Sequence, residues 1–261
     1  MKKALCALLA VVMTGVMCLG FTGCQNKSGG TFTVGFDKEF PPMGFVDKDG
    51  NYVGFDLDLA QEVAKRLGLE YKAQPIEWDF KTTELSTGNI DCVWNGFTMT
   101  GREDEYTWSK PYLNNQQVFI VLTDATYTDK ASLAGTSVAV QEDSSAQAAV
   151  NDDKNKDFKA TLKEVISTPT NLNALMELDT GKVNAVLMDE VVARYNIEQN
   201  EGKYKLLEEP LAAEKYAIGF NLGNTELRDK VDKALQEMTD DGTMAKISEK
   251  WFGKDITIFG K

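Results

Sequence analysis

The stretch GFDLDLAQEVAKRLG, Gly54–Gly68, carries the pattern on which the fold turns. Leu57, Ala60, Val63, Ala64 and Leu67 recur at helical spacing, so one face of the segment is apolar and the other charged. Asp56 is placed to cap the start of this helix and Gly68 to end it. The pair Asp56 and Asp58 raises the question of a metal, but carboxylates in a first turn are what the helix dipole favours. Before the helix TFTVGF reads as a strand, and after it come strand EYKAQPI, a helix over Lys81–Ser86, strand IDCVW and strand VFIVLT.

Strands separated by helices predict a parallel sheet and an α/β fold. A second series of the same kind begins at TSVAVQ: helix Ser145–Asn151, strand TLKEVI, helix Asn171–Asp179, strand NAVLMD, helix Glu190–Gln199 and strand KYKLLEE. Strand YAIGFN and helices Glu226–Asp240, closed by Gly242, and Met244–Trp251 end the chain. The buried face of the first of these helices is Leu227, Val231, Ala234, Leu235 and Met238. The 261 residues thus divide into two α/β lobes.

The N-terminus has two lysines, an apolar run and the ending Phe21-Thr22-Gly23-Cys24, which together form an export signal over residues 1–23. The run is nearly long enough to be a retained membrane anchor, but the short polar linker QNKSGG follows and no stop-transfer charge cluster does. FTGC is similar to a bacterial lipobox, in spite of Phe21 where Leu is usual. That resemblance implies cleavage before Cys24 and acyl chains on it, holding the protein at the outer surface of a membrane. Cys6 and Cys18 lie in the signal, which leaves Cys92 as a buried apolar side chain without a disulfide partner. Removing the signal takes the net charge from −12 to −14, with 26 basic residues against 40 acidic ones. Such a chain repels nucleic acid and anionic lipid. There is no histidine, and no phosphate-binding glycine loop or metal-ligand cysteine spacing, so no cofactor or metal is expected.

Ligands of α/β sheets sit beyond the carboxyl ends of strands, so the residues there are the candidates. Asp37 and Phe40 precede the rigid Pro41-Pro42 turn, which either aims Phe40 at a cleft or leaves it covering the core. Trp78 is an aromatic wall or a core side chain. After IDCVW the Asn95-Gly96 pair exposes backbone groups, Thr98 adds a hydroxyl, and Arg102 has the planar fork that suits a carboxylate. The alternative there is a capping box of Thr100 and Glu103 with a solvated Arg102. Ser144 and Ser145 stand at a helix N-terminus, where free amides favour an anion and where a serine also simply caps. Asp189 ends a strand and either receives an ammonium or caps the next helix. Together Arg102 and Asp189 pair both ends of a zwitterion, whose charges are costly to bury alone.

At this point the chain resembles the extracellular solute-binding proteins of the polar amino-acid family, the capture component of ABC importers. GFDLDLAQEVAKRL, Gly54–Leu67, and KWFG near the C-terminus carry the likeness, which runs from Thr31 to Gly253. It implies a two-lobed periplasmic-binding-protein-like fold of type II, with two α/β domains joined by two crossover strands. Residues 31–112 and 217–261 would form the first lobe and residues 113–216 the second, behind a lipidated linker of residues 24–30. Asp37 and Phe40 would then line the side-chain pocket, Trp78 its wall, and Asn95, Gly96, Thr98 and Arg102 the α-carboxyl and α-amino contacts. Gln141, Ser144 and Ser145 would line the pocket from the second lobe, and Asp189 would take the ammonium. One departure stands out: the family usually has Thr-x-x-Arg, whereas Thr100-Gly101-Arg102 is a residue shorter, about 100° of helical turn.

The expected function is capture of a polar or basic L-amino acid, of arginine, lysine or glutamine type, by a monomer that closes its lobes and docks on a permease with its ATPase. An enzyme similar to cyclohexadienyl dehydratases and a surface adhesin or sensor are the alternatives on the same fold. Asp37 and Asp189 are the candidate acids and bases for the first of these.

Overall fold

The computed structural model describes residues 29–261; the signal segment and Cys24 lie outside them. Strand β1 (Thr31–Phe36) runs parallel to β5 (Glu70–Pro75), with Thr31 opposite Glu70, and parallel to β6 (Cys92–Val93), with Val34 opposite Cys92. Helix α1 (Phe55–Leu67) is the crossover between β1 and β5 and packs against β5. Two antiparallel strands, β14 (Gly219–Phe220) and β7 (Thr107–Trp108), complete a sheet of order β5-β1-β6-β14-β7. A small antiparallel sheet of β2 (Glu39–Phe40), β3 (Gly44–Val46) and β4 (Tyr52–Val53) lies between β1 and α1 in sequence.

The second sheet has the order β10-β9-β11-β8-β12. Strands β9 (Ser137–Gln141), β10 (Glu164–Thr168) and β11 (Ala185–Asp189) are parallel, while β8 (Leu113–Leu122) and β12 (Tyr204–Leu206) are antiparallel. Helices α3 (Ser145–Asn151), α4 (Lys156–Thr161), α5 (Asn171–Asp179) and α6 (Glu190–Gln199) connect them. The chain enters this sheet along β8 and leaves it along β13 (Ala212–Tyr216), an antiparallel neighbour of β8 from Tyr216 opposite Leu113 to Ala212 opposite Gln117. One end of this pair is tied back to the first lobe through both strands, by a bridge from Leu113 to Thr257 and one from Tyr216 to Thr98. The C-terminal helices α7 (Thr225–Asp240) and α8 (Thr243–Phe252) pack on α1. Two α/β lobes joined by two paired strands are the result.

Amphipathic spacing explains the helices. Leu57, Ala60, Val63 and Ala64 of α1 and Val231, Ala234, Leu235 and Met238 of α7 are buried, while Leu67 and Leu227 are only half-buried and Leu59 joins the core. Each such large side chain contributes about 1.5–3 kcal/mol of transfer free energy. Gly68 ends α1 in the left-handed region, its amide donating to the Ala64 and Lys65 carbonyls. Helix α7 ends at Asp240 as expected, but Asp241 caps it, and Gly242 instead caps the start of α8. The expected cap of α1 is also overturned. Gly54 occupies that position, and Asp56 lies inside the first turn, wholly buried against the loop after β6.

Candidate functional site

The carboxyl ends of four parallel strands converge where the lobes meet. From β1 comes Asp37, from β6 the segment Trp94–Thr98, from β9 Gln141 and from β11 Asp189. Asp37 is buried; its Oδ1 accepts from the Glu39 amide at 2.8 Å and its Oδ2 from Gln141 Nε2 at 2.9 Å, a hydrogen bond across the two lobes. Burial raises the Asp37 pKa, and these two donors oppose the rise. Gln141 also reaches Pro169 and Asn171, so its amide is fully engaged.

Gly96 sits in the left-handed region at φ 58°, and its N–H donates to Asp56 Oδ2 at 2.6 Å. A Cβ there would lie 2.8 Å from the Phe40 ring and 3.0 Å from that of Tyr216, so only glycine lets these rings close over the loop. Phe40 is accordingly buried, packed on the loop after β6. Asn95 and Thr98 are buried too, and Asn95 Oδ1 and Nδ2 and Thr98 Oγ1 have no hydrogen-bond partner. Unpaired polar groups of this kind each cost about 1–3 kcal/mol, which a folded chain tolerates where a ligand satisfies them.

The short loop reaches Arg102 by a turn. Gly101 adopts φ 84°, the Arg102 amide donates to the Met99 carbonyl, and no helix forms at Thr100, whose Oγ1 instead accepts from the Lys215 amide. The capping box of Thr100 and Glu103 is therefore absent. Arg102 turns its guanidinium over the Phe97 ring, 5.6 Å from its centre, and donates to the carbonyls of Thr98 at 3.3 Å and of Asp143 in the other lobe at 3.4 Å. Trp78, half-buried, meets Phe97 edge-on at 5.5 Å.

Across the cleft, Ser144 caps α3: its Oγ accepts from the Gln147 amide at 3.1 Å and donates to the Gln141 carbonyl at 2.7 Å. Ser145 accepts from Gln117 Nε2 at 3.0 Å. Asp189 makes no capping bond to α6. Its buried Oδ1 accepts from Asn115 Nδ2 (2.8 Å), Gln117 Nε2 (3.0 Å) and the Tyr216 hydroxyl (2.5 Å). Burial pushes the Asp189 carboxyl well above its ordinary range, and the neighbouring Glu214 carboxylate adds to the rise.

Several members of this cluster escape a reading of the strand ends. Asn115, Gln117, Glu214 and Tyr216 come from the strands that connect the lobes. Lys81, almost wholly buried at the start of α2 (Lys81–Ser86), donates to Asp143 Oδ2 and to the carbonyls of Asp143 (3.3 Å) and Trp78 (3.2 Å). Burial lowers the Lys81 pKa, and Asp143 opposes the fall. A lysine at a helix N-terminus runs against the dipole, which was the one signal for it in the sequence.

Two α/β lobes bring these polar and charged groups together at their strand ends. A family model for bacterial extracellular solute-binding proteins, family 3, matches residues 32–254. The chain belongs to this family. Among curated relatives of this family member, the L-cystine-binding protein TcyA of Bacillus subtilis (strain 168) is 31% identical over 98% of this chain and 100% of its own length. Among solved structures, a substrate-binding protein of an ABC uptake transporter from Streptococcus pneumoniae, with bound histidine, superimposes with a TM-score of 0.83 at 34% identity. That match covers 89% of this chain and 95% of the other. An ancestral arginine-binding protein bound to glutamine gives a TM-score of 0.79 at 37% identity, covering 86% and 99%. The type II two-lobed fold is shared with these structures.

Proposed function

We propose that this family member is the substrate-binding component of an ABC importer, capturing a polar or basic L-amino acid between its lobes and delivering it to a permease and its ATPase. The observation that supports the reading is that Arg102 and Asp189 both stand at or beyond strand ends where the lobes meet, with Arg102 reaching the Asp143 carbonyl of the second lobe beside the unpartnered Asn95 and Thr98. Arg102, with the first amides of α3 at Ser145, receives the α-carboxylate; Asp189 receives the ammonium; Asp37, Phe40 and Trp78 surround the side chain, with Gly96, Gln141 and Ser144 framing them. The first lobe comprises residues 31–112 and 217–261, the second residues 113–216. The mature protein begins at Cys24, is held to the outer face of the membrane by its lipid, and acts as a monomer. Relatives and structural neighbours whose names specify cystine, arginine, histidine or glutamine support the amino-acid class. A thermal-shift panel of all common amino acids and cystine tests the proposal, because a ligand at 100 times its dissociation constant stabilises by about 2.7 kcal/mol. An upward shift with one or more of them is expected, and a panel with no shift refutes it.

A further inference from the structure

Glu214 is buried in β13 and is seated beside Asp189. The two carboxylates share the same donors. Asn115 Nδ2 lies 2.8 Å from Asp189 Oδ1 and 2.6 Å from Glu214 Oε1, and Gln117 Nε2 lies 3.0 Å from each. Among the described residues no lysine or arginine forms an ion pair with either acid. The titratable and charged groups around them are few. From β13 come the Tyr216 phenol, bonded to Asp189, and Lys215, exposed on the opposite face of the strand. The Tyr112 ring is tilted 47° to that of Tyr216 at 6.4 Å, β8 contributes only its two amides, and Glu190 at the start of α6 is paired with Arg194 at 2.6 Å. Two full negative charges this close and this dry are unfavourable without a cation.

Glu214 also borders a groove of about 510 Å³, together with Thr100, Asn115, Glu190 and Lys215. Asp189 is not among the residues that line this groove, so of the two acids Glu214 is the one that borders it.

We propose that Glu214 is a second acidic member of the ammonium subsite, sharing one proton with Asp189 until a ligand ammonium enters and that proton leaves to solvent through the groove. This rests on the amino-acid reading above. The balance is simple: a pair carrying one negative charge gives up a proton, gains a second negative charge, and is neutralised in part by the incoming ammonium. Neither acid owns the proton; it belongs to the pair. Ligand affinity then rises with pH through the range in which the pair titrates.

Two measurements test this. Carboxyl carbon NMR of the ligand-free protein is expected to show one of the two side chains protonated at pH 7, and Glu214→Gln to let Asp189 ionise at a lower pH. Two ionised carboxylates in the free wild-type protein overturn the proposal. Calorimetry with L-cystine, L-arginine and L-histidine, in buffers of different ionisation enthalpy, is expected to show release of about one proton per ligand bound by the wild type and less by Glu214→Gln. Binding without proton release also overturns the proposal. If none of the amino acids binds, the amino-acid reading fails, and the NMR result still decides whether the pair shares a proton.

Discussion

Replacing Asp56 with asparagine isolates one buried charge whose cost is readable from its surroundings. Asp56 Oδ2 accepts from the Gly96 amide at 2.6 Å and from the Tyr112 hydroxyl at 2.8 Å, while Oδ1 has no partner and no cation lies beside it. Burial raises its pKa from 3.8 to about 7, outweighing the Gly96 and Tyr112 bonds that favour the ionised form. Between those two values the folded protein holds a proton that the unfolded chain has released. Stability therefore falls as pH rises through this window, by about 1.4 kcal/mol per pH unit and about 4 kcal/mol in all. Asparagine retains an acceptor for Gly96 and does not titrate. Urea unfolding of both proteins from pH 4 to pH 8 should give stability curves that diverge: the wild type loses about 4 kcal/mol relative to Asp56→Asn as pH rises. Other acids with raised pKa values, Asp37, Asp189 and the half-buried Asp232, do not bond to Asp56 and cancel in the difference. Parallel curves would refute the reasoning, because Asp56 would then ionise no differently folded and unfolded.

Arg102→Ala should weaken binding of any amino acid that stabilises the wild type by about 10- to 150-fold, the loss of one charge-assisted bond to a carboxylate, as measured by calorimetry. Gly96→Ala forces a left-handed residue with a Cβ against Phe40 and Tyr216, and should lower stability by about 1–3 kcal/mol in urea unfolding. Lys81→Met removes the bonds from α2 to Asp143 and should leave the free protein more open, seen as a larger radius of gyration in small-angle X-ray scattering.

The alternation of strands and helices was legible because amphipathic period and strand length are local properties. Helices α2, α3, α5 and α6 begin and end where the sequence pattern places them. What was not legible depends on contacts between distant segments. Asp56 looks like any carboxylate in a first helical turn, and its burial is decided by Gly96, 40 residues further on. Glu214 left a fainter mark. In AAEKY the period of two sets it on the face of the buried Tyr216, and an acid on such a face needs a reason to be there. The turn at Gly101 was visible as a possibility, since glycine alone enters that conformation freely, but only coordinates show that it brings Arg102 to the carbonyl of Asp143.

Asn115, Gln117, Glu214 and Tyr216 all lie on the two strands about which the proposed lobes would rotate. Points near an axis travel little when the bodies on either side of it swing, whereas Gln141 and Asp143 lie off that strand pair, at the end of β9 and in the turn after it. On the proposed hinge, the ammonium corner would be assembled before the lobes close, and the contacts of Asp37 with Gln141 and of Lys81 with Asp143 would form last. An arriving solute would be gripped first by its amine at the axle and sealed afterwards by the rim. Its residence time is then governed by how often the rim parts, and the rim can be retuned without touching the groups that recognise the solute.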